Sequence, residues 1–322
     1  MLNKPFTFLL FLIFGCFNVV LSQELKKDIN AHDPAMIKAE NTYYLYCTGQ
    51  GVTVWSSQDR INWKSEPSVF SDAPKWAKEA VPGFKGYIWA PDISFFKGRY
   101  YLYYSASTFG KNTSAIGLAT NMTLDSSNPL YKWVDHGLVI QSEAGKTNWN
   151  AIDPNLIVDT DGTPFLSFGS FWGGLKLVKL TADRSKVEGS IANLTTIANR
   201  VDKTNAIEAP FIFKKGHFFY LFASIDFCCR GKDSTYKIIV GRSKKLSGPY
   251  VDDKGKLLTE GGGRLVLAGN DQWYGVGHNA VANFEGKDYL IFHGYSAANN
   301  GAPKLLSRAL KWQNGWPISS AL

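Results

Sequence analysis

Residues 207–224 read IEAPFIFKKGHFFYLFAS. An acidic residue and a proline open the stretch and a short apolar run follows. Lys215-Gly216 then interrupts it, and a second, more aromatic run ends on Ala-Ser. Two apolar runs around a glycine-containing turn are the pattern of an antiparallel β-hairpin. The same plan recurs four times. It reads HDPAMIKAENTYYLYCTG from His32, APDISFFKGRYYLYYSAS from Ala90, IDPNLIVDTDGTPFLSFGS from Ile152 and GHNAVANFEGKDYLIFHGYS from Gly277. An ionisable residue opens each copy: Asp33, Asp92, Asp153, Glu208 and His278, set 55 to 70 residues apart.

Further short strands lie between the hairpins, such as 51–55, 115–119 and 238–242. A unit of about sixty residues therefore holds four strands. Five such units around an axis make an all-β, five-bladed β-propeller, expected as a single domain over residues 23–322. The alternative is an all-β sandwich of unrelated hairpins, which does not account for five ionisable residues in register. In a propeller the first strand of each blade lines the central channel, so the five residues are expected to ring one pocket at its mouth.

Composition agrees. The 322 residues are 45% apolar, 19% charged and 14% aromatic, with 10 Trp, 15 Tyr, 21 Phe, 30 Gly and 13 Pro. That mixture excludes a disordered chain and a helical bundle and favours strands and turns. The net charge of +8 is scattered in short pairs such as Lys26-Lys27 and Lys214-Lys215, with no basic helix. Nucleic acid is excluded as a partner on that ground. At the N-terminus, Lys4 precedes the apolar run FTFLLFLIF, too short to span a bilayer. It reads as a signal peptide over residues 1–22, making the protein secreted or periplasmic, with lipidation at Cys16 as the minor alternative. The later cysteines, Cys47, Cys228 and Cys229, lack zinc-site spacing. Buried thiols are expected, with a Cys228–Cys229 bridge as the alternative. His136, His217 and His293 have no spaced ligand partners and are expected to be ordinary.

Carboxylates converging on a cleft rich in aromatics are the equipment of glycoside hydrolysis, in which one carboxylic acid protonates the leaving oxygen while a carboxylate activates water or attacks. Trp89 and Phe109, near the second inner strand, offer flat faces for sugar rings. The chain shows no recognisable Ser-His-Asp arrangement or phosphate-cradling loop.

Four motifs, His32-Asp33-Pro34, Trp89-Ala90-Pro91-Asp92, Asn150-Ala151-Ile152-Asp153-Pro154-Asn155 and Ile207-Glu208-Ala209-Pro210, resemble the blade motifs of glycoside hydrolase family 43. The likeness is greatest to its endo-1,5-α-L-arabinanases, through residues 167–174, 226–231 and 277–280, and covers nearly the whole chain after residue 22. The resemblance implies inverting hydrolysis of internal α-1,5 links in arabinan. In it Asp33 is the general base, Glu208 the general acid, and Asp153 the residue that orients the acid and tunes its pKa. Asp92 has no catalytic part in the family and is expected to bond backbone groups at its blade start. Expected substrate contacts are His32, Trp89, Phe109, Gly110, Asn150, Ala151, Ile152 and Ser170. His278 matches a histidine that contacts a largely water-coordinated ion, commonly calcium. A monomer acting on arabinan or arabino-oligosaccharides is expected. An exo-acting arabinofuranosidase or β-xylosidase and a non-catalytic sugar-binding propeller are the alternatives. The absence of an appended sandwich domain after Trp316 favours the endo-acting form, and the joint presence of Asp33, Asp153 and Glu208 speaks against mere binding.

Overall fold

A computed structural model describes residues 25–192 and 194–322. The signal peptide read from residues 1–22 lies outside them, as does Cys16. Five antiparallel sheets follow one another along the chain, four of them four-stranded and the second five-stranded. The first strands of the blades are Ala35–Ala39, Tyr87–Phe96, Asn155–Val158, Ile207–Lys215 and Trp273–Phe284. Each touches the next, and the last touches the first, so the ring closes around a channel. The two-residue strand Gly49–Gln50 crosses from the first blade to pair with Ile88 and Tyr87 of the second. The fold is the expected five-bladed propeller.

The second strands explain why the aromatic runs are unbroken rather than alternating. A blade is sandwiched between two others, so both faces of its central strands are buried. Tyr43 and Leu45 pack toward the fifth blade, whereas Tyr44 and Tyr46 pack toward the second. Likewise Leu221 and Ala223 face the third blade, while Tyr220 and Phe222 face the fifth. Five apolar clusters result, one at each blade boundary. Phe222 is fully buried in one of them. Its replacement by Ala is expected to lower stability by about 3–5 kcal/mol, the range for emptying a packed aromatic site. Denaturant unfolding measures this, and a loss below about 1 kcal/mol would show that the boundary repacks.

The sequence holds three Asn-X-Ser/Thr glycosylation sequons, at Asn112, Asn121 and Asn193, and the fold closes the first two. Asn112 and Asn121 are buried, and their side chains bond backbone groups of Thr147 and Lys132 respectively. Asn193 lies outside the described residues.

Candidate active site

Each blade begins with the same device. Asp33, Ala90, Asp153, Ala209 and His278 all sit in the left-handed region, with φ of 52°, 44°, 59°, 55° and 50°. Proline follows the first four of these residues, at Pro34, Pro91, Pro154 and Pro210. Such a conformation is unfavourable for a side-chain-bearing residue and persists where neighbours over-determine it. Here the neighbours are hydrogen-bond acceptors at the ends of second strands. Ala90 N–H donates to Thr48 Oγ1 at 2.8 Å, Asp153 N–H to Ser105 Oγ at 3.0 Å and His278 N–H to Ser224 Oγ at 2.8 Å. Asp33 N–H donates to His293 Nδ1 at 3.1 Å, which closes the ring. In the third blade Gly169 pairs with Ile152 where the others carry Thr, Ser or His. With no side chain there, Ala209 N–H donates instead to Asp153 Oδ2 at 3.1 Å.

This device corrects the register read from the sequence. The structurally equivalent residues are Asp33, Ala90, Asp153, Ala209 and His278. Glu208 stands one residue before that position and Asp92 two after it. In three blades the pairing register shifts across the turn, between Trp89 and Asp92, Glu208 and Phe211, and Gly277 and Ala280. A bulge of this kind re-aims the flanking side chains, which is how Glu208 reaches the cleft from a different repeat position. Asp92 does not line the cleft. Its Oδ2 accepts Leu156 N–H at 2.8 Å, tying the second blade to the third, as expected of a structural residue.

The cleft over the channel mouth has a volume of about 800 Å³. Asp33, Asp153, Glu208 and His278 line it together, with His32, Trp89, Phe109, Gly110, Asn150, Ile152 and Ser170. Ala151 alone among the expected contacts is absent from the wall. It is fully buried, and its N–H donates to Ser142 Oγ. Trp172 and Phe227 also line the cleft; they lie inside the stretches 167–174 and 226–231 that carry the resemblance, but the sequence does not single them out as substrate contacts. Cys228 and Cys229 form the disulfide that was the alternative reading, and not the expected buried thiols. His293 is not ordinary either. It is fully buried, stacks on His32 with ring centroids 4.1 Å apart, and holds Asp33 N–H.

The carboxylates are set in contrasting environments. Thr48 Oγ1 donates to Asp33 Oδ2 at 2.5 Å, His32 Nδ1 lies 2.8 Å from the same oxygen, and His278 Nδ1 is 3.0 Å from Oδ1. Burial pushes the Asp33 pKa up, but His278 and His32 outweigh it and hold the group well below the carboxylate range. His278 is correspondingly raised to about 9: burial opposes its charge, and Asp33 and Asp153 more than compensate. Glu208 is raised, chiefly by burial and further by the Asp33 charge. Ser170 Oγ donates to its Oε2 at 2.8 Å and draws it part of the way down. Tyr236, whose buried hydroxyl has no aligned partner, acts in the same direction. Asp153 is also raised, first by burial and then by Glu208 and Asp33, with His278 opposing. One carboxylate is thus kept ionised beside two that favour their protons, the division of labour that acid–base hydrolysis needs.

Two places invite a metal. His32, Asp33 and His293 have ligand atoms within 4.8 Å of one another. His293 Nδ1 already accepts a backbone N–H, so its lone pair is engaged and this set does not suit a cation. One step down the same strands, a cavity of about 10 Å³ is lined by four blade-start prolines, His278 and Asn279. The Asn279 side chain is buried with neither its oxygen nor its nitrogen partnered. An orphaned amide oxygen beside an imidazole, with room for about one water-sized particle, fits a small oxygen-preferring cation.

A family model described as glycosyl hydrolases family 43 matches residues 26–317. The chain belongs to glycoside hydrolase family 43. This family 43 hydrolase is 48% identical over 300 residues to an extracellular exo-α-(1→5)-L-arabinofuranosidase of Cellvibrio japonicus, a match covering 90% of the chain and 86% of the relative. It is 46% identical over 290 residues to an extracellular endo-α-(1→5)-L-arabinanase of Bacillus subtilis, covering 89% and 86%. A solved structure of a Cellvibrio cellulosa α-L-arabinanase with arabinohexaose superposes with a TM-score of 0.88. That match is at 46% identity and covers 91% of this chain and 96% of the other.

Proposed function

We propose that the protein is an extracellular endo-1,5-α-L-arabinanase that hydrolyses arabinan with inversion. The observation that carries the mechanism is the split among the carboxylates at one channel mouth. Asp33, held ionised by His278 and His32, takes a proton from the attacking water. Glu208, held protonated, delivers a proton to the departing arabinosyl oxygen. Asp153 shares the buried environment of Glu208, raises its proton affinity, and fixes the adjacent backbone through Ala209 N–H. Substrate and endo action are supported by relatives named as endo-acting on arabinan and by a cleft at the large end of the roughly 300–1,000 Å³ small-molecule range. The relative named as exo-acting makes exo cleavage the competing reading. Chromatography of early products from linear debranched arabinan decides between them. Mixed oligosaccharides with a rapid fall in chain length are expected, whereas one fixed product released from chain ends would assign exo action.

Phe109 is 76% exposed on the rim of the cleft, so its ring contributes little to the core. Phe109→Ala is expected to leave the thermal midpoint unchanged. Arabino-oligosaccharide binding should weaken about 3- to 10-fold, the worth of one ring-stacking contact. Titration calorimetry checks this, and unchanged affinity would remove Phe109 from the substrate path.

Calcium is proposed at the small channel cavity, with Asn279 and a neutral His278 as the side chains that would hold it, the ion taking the place of the proton that His278 otherwise carries. When bound, the ion would supply positive charge beneath three carboxylates. Prolonged chelation is expected to lower activity, calcium to restore it, and His278→Ala to reproduce the chelated state. A fully active His278→Ala protein free of metal by elemental analysis would show that the histidine only fills the channel.

A further inference from the structure

We propose that Lys176 is a positioning residue of the cleft, whose buried ammonium clamps the turn at residues 171–174 and so presents Trp172 to the substrate. That Trp172 meets an arabinosyl ring rests on the function proposed above, whereas the clamp does not. Lys176 stands in the third strand of the third blade, Leu175–Lys179, directly opposite Phe168 and two residues before Val178. Phe168 and Val178 both belong to the apolar cluster between the second and third blades. A basic side chain thus occupies a core position, and it is buried there. Burial lowers its pKa, and no carboxylate among the described residues opposes that effect. A buried cation without a counter-charge costs stability, so stability is not what this residue supplies.

What it supplies is visible at Nζ, which donates to Gly173 O at 2.8 Å and to Thr196 Oγ1 at 2.7 Å. Thr196, on the fourth strand, is the cross-strand neighbour of Lys176 and so aims the ammonium. The Gly173 peptide is gripped from its other side as well. Its N–H donates to Asn148 O at 2.5 Å, and a Cβ there would overlap that oxygen. The residues just before it need such a grip. Phe171 and Trp172 have φ of 51° and 41°, two consecutive side-chain-bearing residues in the left-handed region. Such a pair persists only where its surroundings over-determine it. Asn205 Nδ2 also donates to Trp172 O, and Gly174 N–H donates to Phe171 O at 2.8 Å. Trp172 is thereby held 37% exposed on the cleft wall. Ser170 has its own hold, because it pairs with Glu208 through the backbone and the next N–H, that of Phe171, donates to Ile207 O at 2.8 Å. Loss of the ammonium therefore frees Trp172 and leaves the Ser170–Glu208 contact in place.

The test compares the protein with Lys176→Met, Trp172→Ala and the double variant. Three readouts are taken: thermal unfolding, hydrogen exchange at the Gly173 and Gly174 amides, and kinetics on a linear arabino-oligosaccharide. Met fills the same apolar slot and carries no donor. Lys176→Met is expected to unfold at or above the parental temperature, while the two amides exchange about tenfold faster. Its KM should rise about 3- to 10-fold, the worth of one ring-stacking contact, with kcat within about twofold. Trp172→Ala should raise KM as much, and the double variant no further, because Lys176 acts through Trp172. Lys176→Gln keeps an N–H donor on a shorter stem and should fall between parent and Met, and it decides by the same readouts should the Met variant not fold. Unchanged exchange and unchanged KM in a folded Lys176→Met protein would overturn the proposal, as would KM losses that add in the double variant. A parent with no affinity for arabino-oligosaccharides would end the arabinanase reading and leave the clamp to the exchange measurement, where faster exchange upholds it and parental exchange overturns it.

Discussion

Glu208→Gln is expected to lower kcat on linear arabinan by about 10²–10⁴-fold while the propeller stays folded, because the amide keeps the shape of the acid but has no proton to give. Gln can still accept from Ser170 Oγ, so the local geometry survives. The deficit should shrink on an aryl arabinofuranoside whose phenol leaves without protonation, since that substrate does not need the acid. An equal loss on both substrates would assign Glu208 to binding or positioning. Stability adds an independent sign. The pKa of Glu208 is raised in the folded protein, so its contribution is fully present below the unfolded value and is lost as pH rises through the folded one. The Gln variant has no such loss. Its thermal midpoint should exceed that of the parent on the alkaline side of this transition and not below it.

Asp33→Asn should be as damaging, with a different signature. The amide cannot take a proton from water, and the negative charge that holds His278 up to about 9 disappears with it. Glu208 also loses a neighbour that raises its pKa, so the residual alkaline limb of the pH–rate profile is expected to move to lower pH. Azide, a nucleophile that needs no base, should restore turnover and yield an arabinosyl azide of inverted configuration. A parent enzyme whose first product retains its anomeric configuration, followed by NMR, would make Asp33 a nucleophile and end the inverting assignment. The linkage sign is opposite to that of Glu208. The folded pKa of Asp33 is depressed, so its stabilisation is present above the unfolded value and lost as pH falls through the folded one. Asp33→Asn should therefore narrow the difference in stability between neutral and acidic pH.

The hairpins, their order and their number were legible in residues 32–49, 90–107, 152–170, 207–224 and 277–296. Apolar runs, turn glycines and strand lengths act over a few residues, and apart from the Gly49–Gln50 crossing each blade is built from one contiguous piece of chain. The same locality exposed Asp33, Asp153 and Glu208, because a proline that marks the blade start follows the first two directly and Glu208 after one residue. What the chain alone did not reveal depends on groups brought together from far apart in sequence. His293 reads as an ordinary strand histidine until the ring closes and places it against Asp33, 260 positions away. Ala151 reads as a cleft residue, yet the fourth strand of the preceding blade, Val134–Ser142, captures its N–H through Ser142 and turns it inward. The one-residue offset of Glu208 arises from a left-handed turn that a short motif cannot announce. That turn is held only by acceptors on neighbouring strands and, at Ala209, by the Asp153 carboxylate. Whether Cys228 and Cys229 join is likewise a matter of backbone geometry that sequence adjacency leaves open. Local chemistry therefore determined the blades and which carboxylates open them. Closure of the ring, which alone sets the distances between blades, decided which of those groups holds a proton and which is kept charged.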